Sequence, residues 1–285
     1  MGKRTRKNVE AKKKNDRDRK RVAREKMRQI SQIDEDCECS NAHSSEFSNI
    51  VNQVESQPTV KIVMGTISQA HECFRNPGLQ CSVIVLESFR VLLHVEPSNW
   101  TPGIIDNIVI MGDRMFNEYV QNSPRMLMCT ELPRTFMNDD HCYELEIFDD
   151  NFFTGFILID DNVTEMNNQL LPALKEAFEI SNTLFFVFHE YSISLMKCEM
   201  KFYIFDSHSR DAEGIMTCST GTAVLLMFDT IELLHAHLCK LFFSMGLQKN
   251  ELFEMTPVRL RIMNNVKEQQ DIRIKNNEGI SLERM

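Results

Sequence analysis

Residues 201–210 read KFYIFDSHSR, an alternating aromatic pattern that ends on Asp206, Ser207 and His208. Side chains alternate between the two faces of a strand, so Asp206 and His208 are expected on the same face. A carboxylate beside an imidazole can orient the ring for proton transfer. A turn that simply closes the strand explains the same residues equally well. A catalytic interpretation therefore requires a third partner elsewhere in the chain.

The third partner is a cysteine at the start of a predicted helix. Residues 81–95, CSVIVLESFRVLLHV, are apolar at helical spacing and follow Asn-Pro-Gly-Leu-Gln. The N–H groups and the dipole at a helix N-terminus stabilise a thiolate and lower its pKa. A cysteine on an apolar helix is otherwise a small buried core residue. The first-turn position favours Cys81 as a nucleophile, with His208 as general base and Asp206 as its orienting carboxylate.

Hydrolysis by a cysteine nucleophile also needs a hydrogen-bond donor for the developing oxyanion. A glutamine side chain, together with the backbone N–H of the nucleophile, can supply it. Gln69 lies twelve residues before Cys81, just after the predicted strand VKIVMG, and is the natural candidate. Gln80, which directly precedes the cysteine, is the alternative donor.

The remaining hydrophobic patterns predict helices first and a mostly antiparallel sheet afterwards. Without regular βαβ alternation, this order indicates an α+β fold. Further helices are predicted near 104–120, 167–180 and 230–245. Strands are predicted near 60–65, 143–148, 155–159, 183–191, 192–198, 200–208, 221–229 and 255–260.

Charge and composition divide the chain into four segments. Residues 1–30 contain fourteen Lys and Arg against four Asp and Glu, a balance of +10, so the rest must carry −19 to give the overall −9. This segment predicts a disordered basic arm suited to a nucleic acid or an import receptor, although a solubilising tail has the same composition. Residues 31–58 predict an acidic Ser/Asn-rich linker, 59–264 the folded domain, and 265–285 a polar tail.

Several protein classes do not fit the composition. No apolar run approaches the roughly 18–20 residues of a membrane span, and residues 1–30 lack the apolar segment of a secretory signal. Nine cysteines without regular spacing do not indicate a disulfide framework, which favours a reducing compartment. Cys37, Cys39 and His43 are too few for a structural zinc site. Neither a metal nor another cofactor is expected.

Two stretches resemble the motifs of a known family. GTISQAHECFRNPGLQCSVIVLESF (65–89) and FDSHSRD followed by GTAVLLMF (205–228) are similar to herpesvirus large tegument protein deubiquitinases and their relatives in mobile elements and invertebrate genomes. The resemblance covers about 59–262. It departs from the family motif at Ala70, where the family has glycine, and in a slightly shorter loop between the glutamine and the cysteine. It implies a papain-like cysteine protease fold with Cys81 as nucleophile, His208 as base, Asp206 as orienter and Gln69 as oxyanion donor.

The resemblance implies a deubiquitinase that hydrolyses the isopeptide bond at a ubiquitin C-terminus. The expected partners are conjugates of ubiquitin or a ubiquitin-like modifier, with no membrane and a monomeric state, in the nucleus, the cytoplasm or both. A catalytically silent ubiquitin- or protein-binding module with the same fold is the main alternative. A third interpretation is a mobile-element accessory protein whose basic arm binds nucleic acid, and this role is compatible with the first.

Overall fold

The computed structural model describes residues 61–120, 124–138, 140–156, 170–217, 221–247 and 251–263. These ranges contain four α-helices and nine β-strands. The helices are α1 (Cys81–Leu92), α2 (Pro102–Val120), α3 (Leu170–Ile180) and α4 (Ile231–Ser244). The strands are β1 (Lys61–Met64), β2 (Thr135–Asn138), β3 (His141–Ile147), β4 (Phe153–Phe156), β5 (Thr183–Phe188), β6 (Tyr191–Cys198), β7 (Lys201–Arg210), β8 (Thr222–Phe228) and β9 (Leu252–Ile262).

All nine described strands belong to one antiparallel sheet in the order β1-β8-β7-β6-β5-β9-β3-β2, with β4 also paired to β9. Strands β5 to β8 are neighbours both in the chain and in the sheet. Short turns connect β5 to β6 and β6 to β7, as expected for antiparallel hairpins, whereas the longer segment 211–221 connects β7 to β8. Strand β7 lies inside the sheet between β6 and β8, so its side chains are held on both sides. The register with β8 shifts between Asp206 and Arg210, where the strand carries its polar residues.

The sheet is covered by helices on both faces. One apolar cluster joins α1 and α2 to one face of the sheet and includes Phe205, and the other joins α3 and α4 to the opposite face and includes Ile204. These two adjacent residues of β7 thus lie in different cores, as strand alternation requires. Asp206, Ser207 and His208 continue the same strand, so two packed cores fix the backbone that carries them.

The α+β prediction is confirmed, and so is the helix that begins at Cys81. Strand β2 was not predicted, and β9 is longer than the predicted 255–260. The predicted arm (1–30), linker (31–58) and tail (265–285) lie outside the described residues, as do residues 157–159 of one predicted strand. Within the ranges that the structure describes, no helix has the length and apolar character needed to cross a membrane.

Candidate active site

Helix α1 begins at Cys81, and the turn before it explains why. Gly78 has φ of +84°, a left-handed conformation that glycine adopts without strain, and a Cβ there would meet nothing within 4 Å. The constraint is therefore conformational rather than one of space. Gln80 is the N-cap residue, and its carbonyl oxygen accepts hydrogen bonds from the N–H groups of Val83 and Ile84 at 3.0 Å. Cys81 is fully buried at the helix start.

His208 and Asp206 form a tight pair on β7. His208 Nδ1 lies 2.6 Å from Asp206 Oδ1, and the same oxygen accepts the backbone N–H of His208 at 2.9 Å. Burial disfavours the imidazolium, but the charge and hydrogen bond of Asp206, with Cys81, raise the pKa of His208 above its usual value. The ring also packs edge-on against Tyr191, with centroids 4.5 Å apart. His208 is thus held in one orientation.

Arg210 holds the second oxygen of the same carboxylate. Its Nε donates to Asp206 Oδ2 at 2.7 Å, and both side chains are 1% exposed. Burial raises the pKa of Asp206, but the charges of Arg210 and then His208 outweigh it and hold this pKa well below its usual range. Asp206 is therefore a permanent anion that accepts hydrogen bonds through both oxygens.

The thiol of Cys81 lies beside His208, close enough for the imidazole to influence its pKa. Burial raises the pKa of Cys81, but the hydrogen bond and charge of His208, followed by hydrogen bonds from Ser192, lower it overall. Ser192 on β6 is itself buried, and its Oγ lies 3.2 Å from the hydroxyl of Ser82. A thiol with a lowered pKa beside an imidazole with a raised pKa favours the thiolate–imidazolium pair, the reactive form of a cysteine nucleophile.

Gln69 is tied to both the cysteine helix and the histidine strand. Its backbone N–H donates to the carbonyl of Ser207 at 2.8 Å, and its side-chain Oε1 accepts from Ser207 Oγ at 2.8 Å. Its backbone carbonyl accepts from Nε2 of Gln80 at 2.9 Å. That amide nitrogen also contacts Asp113 Oδ1 at 3.3 Å, so the Gln80 donor is already engaged within the protein. These contacts favour Gln69 over Gln80 as the residue able to donate to a ligand.

Helix α2 fixes the loop that leads to Gln69. Asp106 accepts hydrogen bonds from the backbone N–H and the hydroxyl of Thr66, each at 2.7 Å, and from the N–H of Ile67 at 3.3 Å. A Cβ at Gly65 would lie 2.5 Å from Asp106 Oδ1, so glycine lets the loop approach the carboxylate. The loop carrying Gln69 therefore has a defined path from β1 to α1.

The structure brings together all four residues singled out in the sequence: Cys81, His208, Asp206 and Gln69. It adds Arg210, Ser192 and Ser207 to their surroundings. His71 is exposed, and its Nδ1 accepts the backbone N–H of Cys73 at 3.2 Å. His237 is buried, and burial lowers its pKa to about 4. The four candidates remain predictions as to their catalytic roles.

A helix that starts at a cysteine and packs on an antiparallel sheet carrying the histidine and its carboxylate defines the papain-like class of fold. The family model described as herpesvirus tegument protein, N-terminal conserved region, matches residues 64–256, which is more than half of the chain. The chain therefore belongs to this herpesvirus tegument N-terminal family. No curated protein matched the sequence.

A solved structure supports the papain-like fold. It is the ubiquitin-specific protease encoded by murine cytomegalovirus tegument protein M48, in complex with a ubiquitin-based suicide substrate. The TM-score is 0.55 and the sequence identity is 16%, with 72% of this chain and 88% of that chain covered. At this identity the similarity concerns the fold.

Proposed function

We propose that this protein is a cysteine peptidase that hydrolyses the isopeptide bond at the C-terminus of ubiquitin or a ubiquitin-like modifier. The observation that carries the proposal is a buried Cys81 thiol beside an imidazole whose Nδ1 lies 2.6 Å from Asp206 Oδ1. The M48 protease, similar in fold, is a ubiquitin-specific protease bound to a ubiquitin-based suicide substrate, and this supports the choice of substrate class. The family membership supports it as well.

In the first half-reaction, the Cys81 thiolate attacks the carbonyl carbon of the terminal glycine of the modifier. The carbonyl oxygen becomes an oxyanion, which Nε2 of Gln69 and the backbone N–H of Cys81 can stabilise. The N–H groups of the first helical turn have no partner within a helix, so the donor of Cys81 is suited to this role. The imidazolium of His208 then protonates the leaving lysine amine as the C–N bond breaks, which leaves a thioester on Cys81.

In the second half-reaction, neutral His208 takes a proton from water as the water attacks the thioester carbonyl. The same donors can stabilise the second oxyanion. Its collapse breaks the C–S bond, releases the modifier with a free carboxylate, and regenerates the thiolate–imidazolium pair. Asp206 keeps the imidazole in the orientation that both proton transfers need, and remains ionised throughout.

The proposal is tested with ubiquitin whose C-terminus carries a thiol-reactive group, in parallel with the same probe built on ubiquitin-like modifiers. We expect a covalent adduct at fully buried Cys81 and none at exposed Cys73 by mass spectrometry. A nonspecific reagent would prefer the exposed thiol, so this contrast reports a directed reaction. A folded protein that binds ubiquitin but forms no adduct would overturn the proposal in favour of a silent binding module.

The dependence of activity on pH should report the Asp206 charge. The thiolate–imidazolium pair exists at pH values above the pKa of Cys81 and below that of His208. A plot of kcat/KM against pH should therefore be bell-shaped. Asp206→Asn keeps an acceptor for the ring but removes the charge that raises the pKa of His208. The alkaline limb should therefore move to lower pH. With less imidazolium beside it, the pKa of Cys81 should rise, so the acid limb should move to higher pH.

The measurement is kcat/KM against pH on a fluorogenic ubiquitin C-terminal amide. Asp229→Asn is the matched control, because Asp229 pairs with Lys201 at the other end of β7 and should leave both limbs unchanged. A profile for Asp206→Asn with the same two limbs as the wild type would show that this charge does not tune the pair.

A further inference from the structure

Ser207 contacts a different partner from its two neighbours on β7. Asp206 and His208 bond to each other, whereas the Ser207 hydroxyl donates to Oε1 of Gln69 at 2.8 Å. Both members of this second contact are buried, Ser207 to 1% and Gln69 to 2% exposure. Buried hydroxyls form hydrogen bonds within the protein, and the Ser207 hydroxyl forms its bond with a single side chain. One strand thus contacts both the base and the candidate oxyanion donor.

In the structure this contact leaves the donor end of the Gln69 amide free, because the Ser207 hydroxyl donates to Oε1. A glutamine amide has an acceptor oxygen and a donor nitrogen, and rotation by half a turn exchanges them. With Oε1 bound to Ser207, Nε2 is the end left to bind a ligand. Among the described residues, no group accepts a hydrogen bond from Nε2 of Gln69. The reversed amide would present an acceptor oxygen, which repels an oxyanion.

The backbone of Gln69 is held in place, because both its N–H and its carbonyl form hydrogen bonds. The carbonyl of Ser207 accepts its N–H at 2.8 Å, and Nε2 of Gln80 donates to its carbonyl at 2.9 Å. Gln80 precedes Cys81, and Ser207 precedes His208. Rotation of the terminal amide is therefore the main freedom that remains, and the Ser207 hydroxyl restricts it.

We propose that Ser207 is a positioning residue that keeps the donor end of the Gln69 amide directed at the reacting carbonyl. The inference rests on the proposed peptidase function and adds a residue to it. Ser207 does not touch the substrate, and it acts only through Gln69. Loss of its hydroxyl allows the amide to populate both orientations, which lowers the share of molecules competent for catalysis.

The test is a double-mutant cycle on a fluorogenic ubiquitin C-terminal amide. Gln69→Ala should lower kcat by about 10²–10³-fold, the usual effect of losing one oxyanion donor. Ser207→Ala should lower kcat by about tenfold with KM unchanged, since a single neutral hydrogen bond holds the orientation. In the Gln69→Ala background, Ser207→Ala should change kcat by less than about twofold, because the group it orients is gone.

Ser88→Ala is the matched control, because Ser88 is a fully buried serine on α1 whose hydroxyl lies 2.7 Å from Val85 O and 3.0 Å from Ser194 Oγ. It should unfold at a lower temperature but keep its kcat. If Ser207→Ala does not fold, Ser207→Cys fills the same volume with a weaker donor and replaces it in the cycle.

The outcomes separate this inference from the function on which it rests. Equal losses of kcat from Ser207→Ala in both backgrounds, or no loss in the wild-type background, would overturn the role of Ser207 while leaving the peptidase intact. A wild-type protein that is folded but turns over no modifier amide would overturn the proposed function, and this inference with it.

Discussion

Cys81→Ala is expected to abolish turnover of ubiquitin C-terminal amides while the protein still binds ubiquitin. The substitution removes the attacking sulfur, and no other described thiol lies in the site. Loss of the nucleophile or the base of a catalytic triad lowers kcat by about 10⁶-fold. Because Cys81 is fully buried, its replacement changes almost no surface on which a modifier could dock. His208→Ala should be nearly as severe, since no other described side chain can shuttle the proton at Cys81.

Cys129→Ala is the matched control for these variants. Cys129 is another buried cysteine, but burial raises its pKa to about 12, so it is not a thiolate at neutral pH. This variant should keep kcat within about twofold of the wild type, because burial keeps Cys129 in the unreactive thiol form. Cleavage of the fluorogenic amide and binding of ubiquitin are measured on all three variants, with circular dichroism to check folding. Wild-type turnover by folded Cys81→Ala would refute the mechanism.

The parts of the site that the sequence predicted are those set by local geometry. The start of α1 follows from the Asn-Pro-Gly turn before Cys81, because glycine supplies the left-handed residue. The shared face of Asp206 and His208 follows from strand alternation. Arg210 lies four residues after Asp206 on β7 and therefore on the same face of the strand, so its contact with Asp206 could also be read from the sequence.

Contacts between distant segments were not predictable in this way. The hydroxyl of Ser207 meets Gln69 across 138 residues of chain, and Ser192 approaches Cys81 only because β6 lies beneath α1. No local pattern distinguishes these serines from others in the chain. Strand β2 was missed because its four residues read TFMN, which lacks the apolar–polar alternation of a strand. Hydrogen bonding to β3 stabilises β2 as a strand, although its own sequence does not predict one.

The second large effect is expected from Arg210→Met, on stability rather than on chemistry. The Arg210 guanidinium and the Asp206 carboxylate are both almost fully buried and bonded at 2.7 Å. Removing Arg210 leaves Oδ2 of the buried Asp206 carboxylate without its charged partner, and breaking a buried pair in this way typically costs about 3–5 kcal/mol in the free energy of unfolding. Methionine keeps most of the side-chain volume, so the loss reports the charge rather than a cavity. Arg114→Met is the control, because the exposed Arg114–Glu118 pair contributes at most about 0.5 kcal/mol.

The pH dependence of this loss identifies its cause. Arg210 holds the pKa of Asp206 far below its unfolded value of about 3.9, so the resulting stability is complete above that value and declines as pH falls toward the folded pKa. The difference in unfolding free energy between wild type and Arg210→Met should therefore be constant from about pH 5 to 8 and shrink at lower pH. Urea unfolding of both variants and the control across this range measures it. A difference that stays the same down to pH 3 would mean that Arg210 stabilises the fold by packing against Tyr191, whose ring lies 5.5 Å from the guanidinium carbon, and not by holding the triad carboxylate.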